Sequence, residues 1–335
     1  MNGLSIGDRA QAFQSLRNGQ TLKSNLDRLA QELSTGRPAD MVQHLSGRTS
    51  ELATLSGDIE TIDAFLAASS AFDLELTRKQ AVLEAVANPA IELGARWLTV
   101  TSTTPQSQIV RAEADGRALL GQAISQINER VGGRSLFAGA AVDRTPLADV
   151  ERLLSELDTV VAGLTDPAGI TAAIDQWFSD PVAGYSAVIY GGDAGPPVMR
   201  SVNSGENIPV PGRADDLALR DTLAAVATVA MGGRIADRLT VETRADLLRR
   251  AGADLMPAAN GLIALAGDIG AIQARLDASV TYQSAQRTAF EMARNTIVQA
   301  DPFQTATALQ TAQQQLELHY TATARLSRLS LATYL

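Results

Sequence analysis

The side chains able to carry acid–base or metal chemistry are few and far apart. The chain holds two histidines, His44 and His319, and no cysteine. Neither histidine is followed by a partner at a metal-ligand spacing. Glu317 and His319 are two residues apart, which on a helix puts them on different faces. Without cysteine, thiolate nucleophiles, zinc–thiolate sites and disulfides are excluded. There is no Gly-x-Ser-x-Gly elbow and no phosphate loop with its lysine. The glycine-rich run Gly191-Gly192-Asp193-Ala194-Gly195 opens no helix. It lies between two segments of strand-forming residues and reads as a hairpin turn. Asp and Glu are scattered as solvated faces rather than paired in an apolar pocket. This inventory predicts no catalytic residue, no cofactor and no metal, and so no enzyme.

The regular spacing lies in the leucines. Leu22, Leu26, Leu29 and Leu33 step by four, three and four, a heptad stripe that needs a helix from about Phe13. Ser34-Thr35-Gly36-Arg37-Pro38 ends it, because Gly accepts the left-handed cap and Pro cannot continue a helix. A second helix is predicted from about Met41 to Ala87. Leu52, Leu55, Ile59, Ile62 and Leu66 keep the three–four alternation, and Leu76 and Leu83 stay in register with Ser69, Asp73 and Gln80 between them. Asn88-Pro89 is expected to stop or kink it. Ile109 to Val131 forms a third helix closed by Gly132-Gly133, followed by the short apolar piece Arg134-Ser135-Leu136-Phe137-Ala138-Gly139.

The middle changes character. Val150–Val161 and Ile170–Phe178 read as short helices. Tyr185–Tyr190, Val198–Val202 and Ile208–Val210 read as strands separated by turn formers. Helix returns at Leu217–Met231, capped by Asp215 or Asp216. It returns again near Thr240, with a break or kink at Pro257 and a long stretch from Leu262 to about Ala300. Asp301-Pro302 makes a joint with proline at the first helical position. From Phe303 to Leu335 there is neither Gly nor Pro, so the last helix can span roughly 50 Å at 1.5 Å per residue.

The pattern predicts a mainly α fold: long antiparallel helices or a coiled coil from both chain ends, with a small α+β insert in the middle. Its expected domains are 1–40 with 301–335 as a terminal coiled coil, 41–145 with 214–300 as a helical bundle, and 146–213 as an outer insert. Aromatics at 4% against 45% hydrophobic residues suit thin helical layers better than a thick globular core. A formal net charge of −9 repels phosphate backbones and anionic lipid, so neither nucleic acid nor membrane is an expected partner. Met1–Arg9 has no basic region leading into an apolar run, so no cleavable signal peptide is expected. No apolar run approaches the ~20 residues that span a bilayer.

The last helix has unusual chemistry. Leu309, Ala312, Leu316, Leu326 and Leu329 form a thin stripe. Between Phe303 and Leu335 the only charged side chains are Glu317, Arg325 and Arg328, and the remaining polar surface is mostly Gln and Thr. A neutral polar face can be covered by neighbours without desolvating ions. The expected assembly interface is therefore Leu22, Leu26, Leu29, Leu33, Leu309, Leu316, Leu326, Leu329, Leu331, Tyr334 and Leu335.

Three segments resemble the bacterial flagellin family, and within it the hook–filament junction type. Asn25-Leu26-Asp27-Arg28-Leu29-Ala30-Gln31-Glu32-Leu33-Ser34-Thr35-Gly36 is similar to the family's leucine-spaced N-terminal helix running into Leu-Ser-Ser/Thr-Gly. Ile127–Gly139 resembles the junction type's Asn-x-x-x-x-Gly-Arg-x-Leu-Phe-x-Gly segment. Leu326–Leu335 resembles the family's closing Ser-Leu-x-x-Tyr-Leu. Tyr190-Gly191-Gly192-Asp193, followed by Ser204-Gly205, is similar to a Tyr-x-Gly-Asp hairpin of that type. Arg37-Pro38-Ala39-Asp40-Met41 departs from the family's Asp-Asp run. The resemblance implies an extracellular subunit of the flagellum, exported without a cleaved signal by the flagellar type III apparatus. It implies as partners other copies of the chain in a ring, a neighbouring hook-associated protein, flagellin, and an export chaperone on the C-terminal helix. Two other readings remain: filament flagellin, and a cytoplasmic coiled-coil adaptor or signalling rod. The rod requires charged flanking positions along its terminal helices.

Overall fold

The computed structural model describes residues 6–332, with side chains described for residue 10 and residues 13–326. In chain order the elements are α1 (Ile6–Thr35), α2 (Met41–Leu45), α3 (Thr49–Leu98), α4 (Gln106–Ile127), β1 (Arg130–Val131), β2 (Arg134–Ser135), α5 (Val150–Val160), α6 (Pro167–Ser179), α7 (Gly184–Val188), β3 (Met199–Asn203), β4 (Glu206–Pro209), α8 (Leu217–Arg234), α9 (Val241–Val298) and α10 (Pro302–Ala332). The fold is mainly α. The strands form two antiparallel hairpins, β1–β2 and β3–β4. By packing, the chain divides into Met1–Asp63 with Ser284–Leu335 (unit 1) and Ala64–Gln283 (unit 2).

Unit 2 is built on the antiparallel helices α3 and α9. Leu76 and Leu83 are fully buried, as their register requires. The polar residues that interrupt the stripe make cross-helix bonds: Gln80 Nε2 donates to Ala266 O (2.9 Å), and Gln273 Nε2 donates to Asp73 Oδ1 (2.9 Å). The helices touch most closely at Gly252, where a Cβ would stand 2.9 Å from Gly94 O. Packed with them is α8, buried almost all round from Leu219 to Gly232. Its Thr222 and Thr228 are buried because each hydroxyl donates to a carbonyl four residues back, at 2.7 and 3.0 Å. Helices α5 and α6 pack on α8 through Leu153, Leu157, Ile170 and Ile174. Segment 146–213 thus shares one core with its flanking helices. Beside α4, Glu113 and Arg244 form a buried ion pair, with Arg244 Nε at 2.7 Å from Glu113 Oε1 and a second bond through Nη2.

Four local expectations are corrected. The helix stop expected at Pro89 and the break expected at Pro257 do not occur, since each proline lies inside one helix. Buried Val86, Ala87, Ala90, Leu93 and Trp97 pin α3 on both sides of Pro89, and Leu255, Ala259 and Leu262 do the same around Pro257. That packing outweighs the ~3 kcal/mol a helix-interior proline costs. Tyr185–Tyr190 holds the short helix α7 rather than a strand. The Tyr185 ring stacks on Phe178 at 5.1 Å, and its hydroxyl donates to Ala214 O at 2.7 Å, so tertiary docking overrides strand propensity. The glycine run 191–195 therefore joins α7 to β3 and is not a turn between two strands; the hairpin turn falls between Asn203 and Glu206. Asp216 occupies the N-cap position of α8, but its carboxylate accepts from Arg213 N instead of capping the helix.

One helical stretch, within Val241–Leu326, is long and apolar enough by length and composition alone to cross a bilayer, with a mean hydropathy of 1.4 over its best window. This differs from the expectation that no apolar run reaches that length. Leu255, Leu262 and Ile269 of α9 are buried in the core of unit 2.

Removing one member of the Glu113–Arg244 pair leaves a buried charge alone, a loss of about 3–5 kcal/mol. Glu113→Gln or Arg244→Met should lower the urea midpoint of the full chain by that order, and the double variant Glu113→Leu/Arg244→Met should lose less than either single. Asp175 in α6 has its pKa raised to about 6 by burial and by Asp254 and Asp221. A carboxyl whose folded pKa lies above its unfolded value contributes stability at low pH and loses it as pH rises through about 6. Asp175→Asn should therefore raise Tm relative to the parent chain at pH 7.5 and leave the difference small at pH 4.

Candidate functional site

The terminal helices α1 and α10 pack antiparallel in unit 1. Three contacts fix their register. Ser15 Oγ lies 3.3 Å from Thr323 Oγ1. A Cβ at Gly19 would lie 3.1 Å from His319 Nε2. Ala300 N donates to Gly36 O at 3.0 Å. The register sets Leu22 opposite Leu316 and Leu29 opposite Leu309. His319 is thus a packing residue over a glycine, and His44 uses Nε2 on Ile297 O at 3.1 Å.

Both ends of the pair are built locally. Gly36 takes φ +66° where α1 stops. Buried Glu32 accepts from Arg28 Nη1 (2.7 Å) and Ala39 N (2.9 Å), tying the last turn of α1 to the chain beyond it. Asp301 Oδ1 accepts from Phe303 N at 2.8 Å and caps α10 ahead of Pro302.

The predicted interface residues fall into three groups. Leu29 is buried in the seam beside buried Ala312, and Leu22, Leu26, Leu309 and Leu316 are half-buried in it. Leu33 and Leu326 are exposed, at 41% and 57%. Leu329 and Leu331 lie on the backbone of α10 with no side chain described, and Tyr334 and Leu335 lie outside the described residues. The heptad stripe is therefore spent largely inside the chain. The outward apolar residues are others: Phe13 and Leu16 on α1, and Phe303, Leu318 and Tyr320 on α10, all more than half exposed. Heptad spacing misses them because they stand off the stripe. Their signal is composition, namely large apolar side chains on helices with few charges.

The exposed side of α10 carries Thr307, Thr311 and Thr321, while Thr323 faces Ser15 of α1. Each hydroxyl donates to the carbonyl four residues back at 2.8–2.9 Å. This is the arrangement that lets Thr222 and Thr228 be buried in α8. Such a face can be covered without stranding a donor and, away from Glu317 and Arg325, without desolvating an ion. An open cleft of about 510 Å³ runs between the helices, lined by Arg28, Leu29, Phe303, Thr307 and Ala312 among others. Among the described residues, no group of three or more His, Cys, Asp or Glu could hold a metal ion.

Residues 255–335 match the family model for the bacterial flagellin C-terminal helical region. That match takes in the second part of α9 and all of α10, so the C-terminal arm of this chain is similar to that region of flagellins. Two solved structures are similar over most of their lengths. FlgL of Bacillus cereus is 13% identical with a TM-score of 0.49, covering 73% of this chain and 99% of its own. A protein given as a flagellar hook-associated protein of Vibrio parahaemolyticus is 12% identical with a TM-score of 0.48, covering 73% and 94%. The comparison with curated proteins gives no significant match.

A charge placed on the outward apolar face should act on association and not on folding. Leu318→Asp or Leu16→Asp is expected to weaken self-association of the full chain more than tenfold in sedimentation velocity and to leave its thermal melt unchanged. Leu29→Asp, in the buried seam, should lower the melt as well.

Proposed function

We propose that this chain is a structural subunit of the bacterial flagellum that joins hook to filament and assembles as a ring through its terminal helices. The observation that carries the reading is the outer face of the α1–α10 pair. It holds exposed Phe13, Leu16, Phe303, Leu318 and Tyr320 among hydroxyls already bonded to their own helix. The flagellin-family match of the C-terminal arm supports the flagellum. The resemblance of Ile127–Gly139 to the junction type supports the position between hook and filament. The wider implications of that resemblance belong to this proposal. They are export by the flagellar type III apparatus, extracellular location, contact with a neighbouring hook-associated protein and with flagellin, and an export chaperone on α10. So do a non-enzymatic role and a layered subunit: 1–40 with 301–335 as inner tube, 41–145 with 214–300 around it, and 146–213 outermost.

The near-neutral outer face of α10 speaks against the coiled-coil rod, which needs flanking charge pairs to choose its partner. Filament flagellin remains the rival within the family, and cell biology separates the two. A strain lacking this chain should carry hooks without filaments and release flagellin into the medium, seen by negative-stain microscopy and by immunoblot of the supernatant. Normal filaments on the deletion strain would remove the junction role, and loss of filaments with no flagellin released would favour the filament subunit.

A further inference from the structure

Unit 2 carries two exposed features of opposite character. The first is a cleft between α3 and the β1–β2 hairpin. One lobe, about 360 Å³, is lined by Ala71, Phe72, Leu74, Val131, Leu136 and Val142 with Arg134 and Arg200 at its side. An adjoining lobe of about 240 Å³ adds Lys79 and Arg213. The charged groups lining the two lobes are these four cations and Glu75. Glu75 pairs with Arg200 at 3.1 Å. Lys79 is held by Pro211 O and Gly212 O, and Arg213 by Asp215 and two carbonyls. Arg134 is exposed and, among the described residues, makes no side-chain hydrogen bond or ion pair. The cleft is apolar with a positive wall.

The second feature is an acidic corner where α6 ends and α8 begins. Val182 is 84% exposed. It is held out rigidly, because Asp180 Oδ1 accepts from both Val182 N and Ala183 N at 2.9 Å, and Ser186 Oγ donates to Asp180 O. Leu217, 61% exposed, starts α8. One turn on, Arg220 donates to Phe178 O at 3.2 Å, which brings the two helix ends together. Asp180 ends α6, Asp175 lies about one turn earlier on it, and Asp221 lies one turn after Leu217 on α8. Asp175 feels the charges of Asp221 and Asp254, and Arg220 is the cation facing Asp221. The corner is an apolar knob with a negative collar.

We propose that the Val182–Leu217 corner of one copy seats in the α3–hairpin cleft of the next copy, a second contact between subunits made by unit 2. The knob and the cleft are complementary in charge, and a local opposition of this kind can orient two copies of a chain whose net charge of −9 would otherwise hold them apart. In this contact each copy gives its corner to one neighbour and its cleft to another, so the contact is head-to-tail and repeats from copy to copy. Such a contact closes a ring or propagates a helix instead of stopping at a dimer. This deepens the ring-assembly reading and rests on it.

The absence of cysteine makes the test direct. Leu74→Cys and Val182→Cys are introduced together in the full chain, which is then oxidised with copper–phenanthroline and run on a non-reducing gel. The head-to-tail contact gives a ladder of trimers and longer species. Either single variant has one thiol per chain and stops at dimers. Val110→Cys with Val182→Cys, two exposed positions with only one in the contact, reports random collision. Adding Arg134→Glu should reduce the ladder about tenfold, and Val182→Cys with Leu74→Cys should cross-link less at high salt. A ladder no stronger than the Val110 control overturns the proposal. If Leu318→Asp disperses the parent assembly while the cysteine pair gives no ladder, the unit 2 contact falls and the terminal-helix reading stands. A ladder from an assembly indifferent to Leu318→Asp keeps the unit 2 contact and removes that reading.

Discussion

Two antiparallel helices can bury only the stripe that each turns to the other, and everything about the chain ends follows from that geometry. In α1 and α10 the seam fully covers few side chains among those described: Leu29, Glu32, Thr305 and Ala312. In α8, surrounded by other helices, nearly every position from Leu219 to Gly232 is covered. Each fully buried Leu or Ile contributes about 1.5–3 kcal/mol, while each ordered residue costs roughly 1–2 kcal/mol of backbone entropy. A thin seam therefore leaves long helices that gain much from further neighbours. The outer faces are composed for that gain. Large apolar side chains stand among hydroxyls that need no new partner, and the described charges on α10 reduce to Glu317 and Arg325.

Much of the helical frame was legible because its signals are local. The leucine steps in α1, the Gly36 stop and the Asp301-Pro302 start each depend on a few adjacent residues, and all hold in the structure. What failed to read was decided at a distance. Pro89 and Pro257 are breakers by local rule, and the burial of residues on both sides of each keeps its helix whole. Tyr185 is a strand former by propensity, yet its hydroxyl reaches Ala214 and its ring reaches Phe178. The same limit governed the contact surface. Periodicity finds the residues a helix turns to its partner, so it picked out the seam. The outward Phe13, Leu318 and Tyr320 have no period to betray them.

Two of the segments that carried the family resemblance, 127–139 and 190–193, share one piece of architecture. Phe137 is fully buried, and its carbonyl accepts from Ala214 N at 2.9 Å; Ala138 O accepts from Asp193 N at 2.9 Å. Gly139 takes φ +63°, and a Cβ there would stand 3.0 Å from Asp193 O. Gly191 N donates to Pro146 O at 2.9 Å, and a Cβ at Gly191 would lie 2.7 Å from Thr145 O. The glycine run thus serves close backbone approach, where the sequence suggested a hairpin turn. Lys79 completes the arrangement. Its ammonium donates to Pro211 O and Gly212 O at 2.7 and 2.9 Å and sits 5.6 Å from the centre of the Phe137 ring. Burial lowers its pKa to about 8, so the fold keeps a cation there against a desolvation penalty for the sake of two carbonyls that would otherwise go unpaired.

The two surfaces argued for this chain differ in physics, and the difference suits a subunit with more than one kind of neighbour. The terminal-helix face is apolar and nearly neutral, so its attraction is short-ranged, tolerant of salt and set by shape. The cleft and corner of unit 2 oppose charges of both signs, so their attraction reaches about a Debye length and sets orientation before contact. A neutral helix face alone has weak grounds for choosing one register over another, since a slip along it trades one Thr or Ala for the next. A knob with an acidic collar and a cleft with an arginine wall admit one alignment. In the assembly proposed, the energy of association lies in the first surface and its register in the second, a division that lets many copies add to the same structure in the same way.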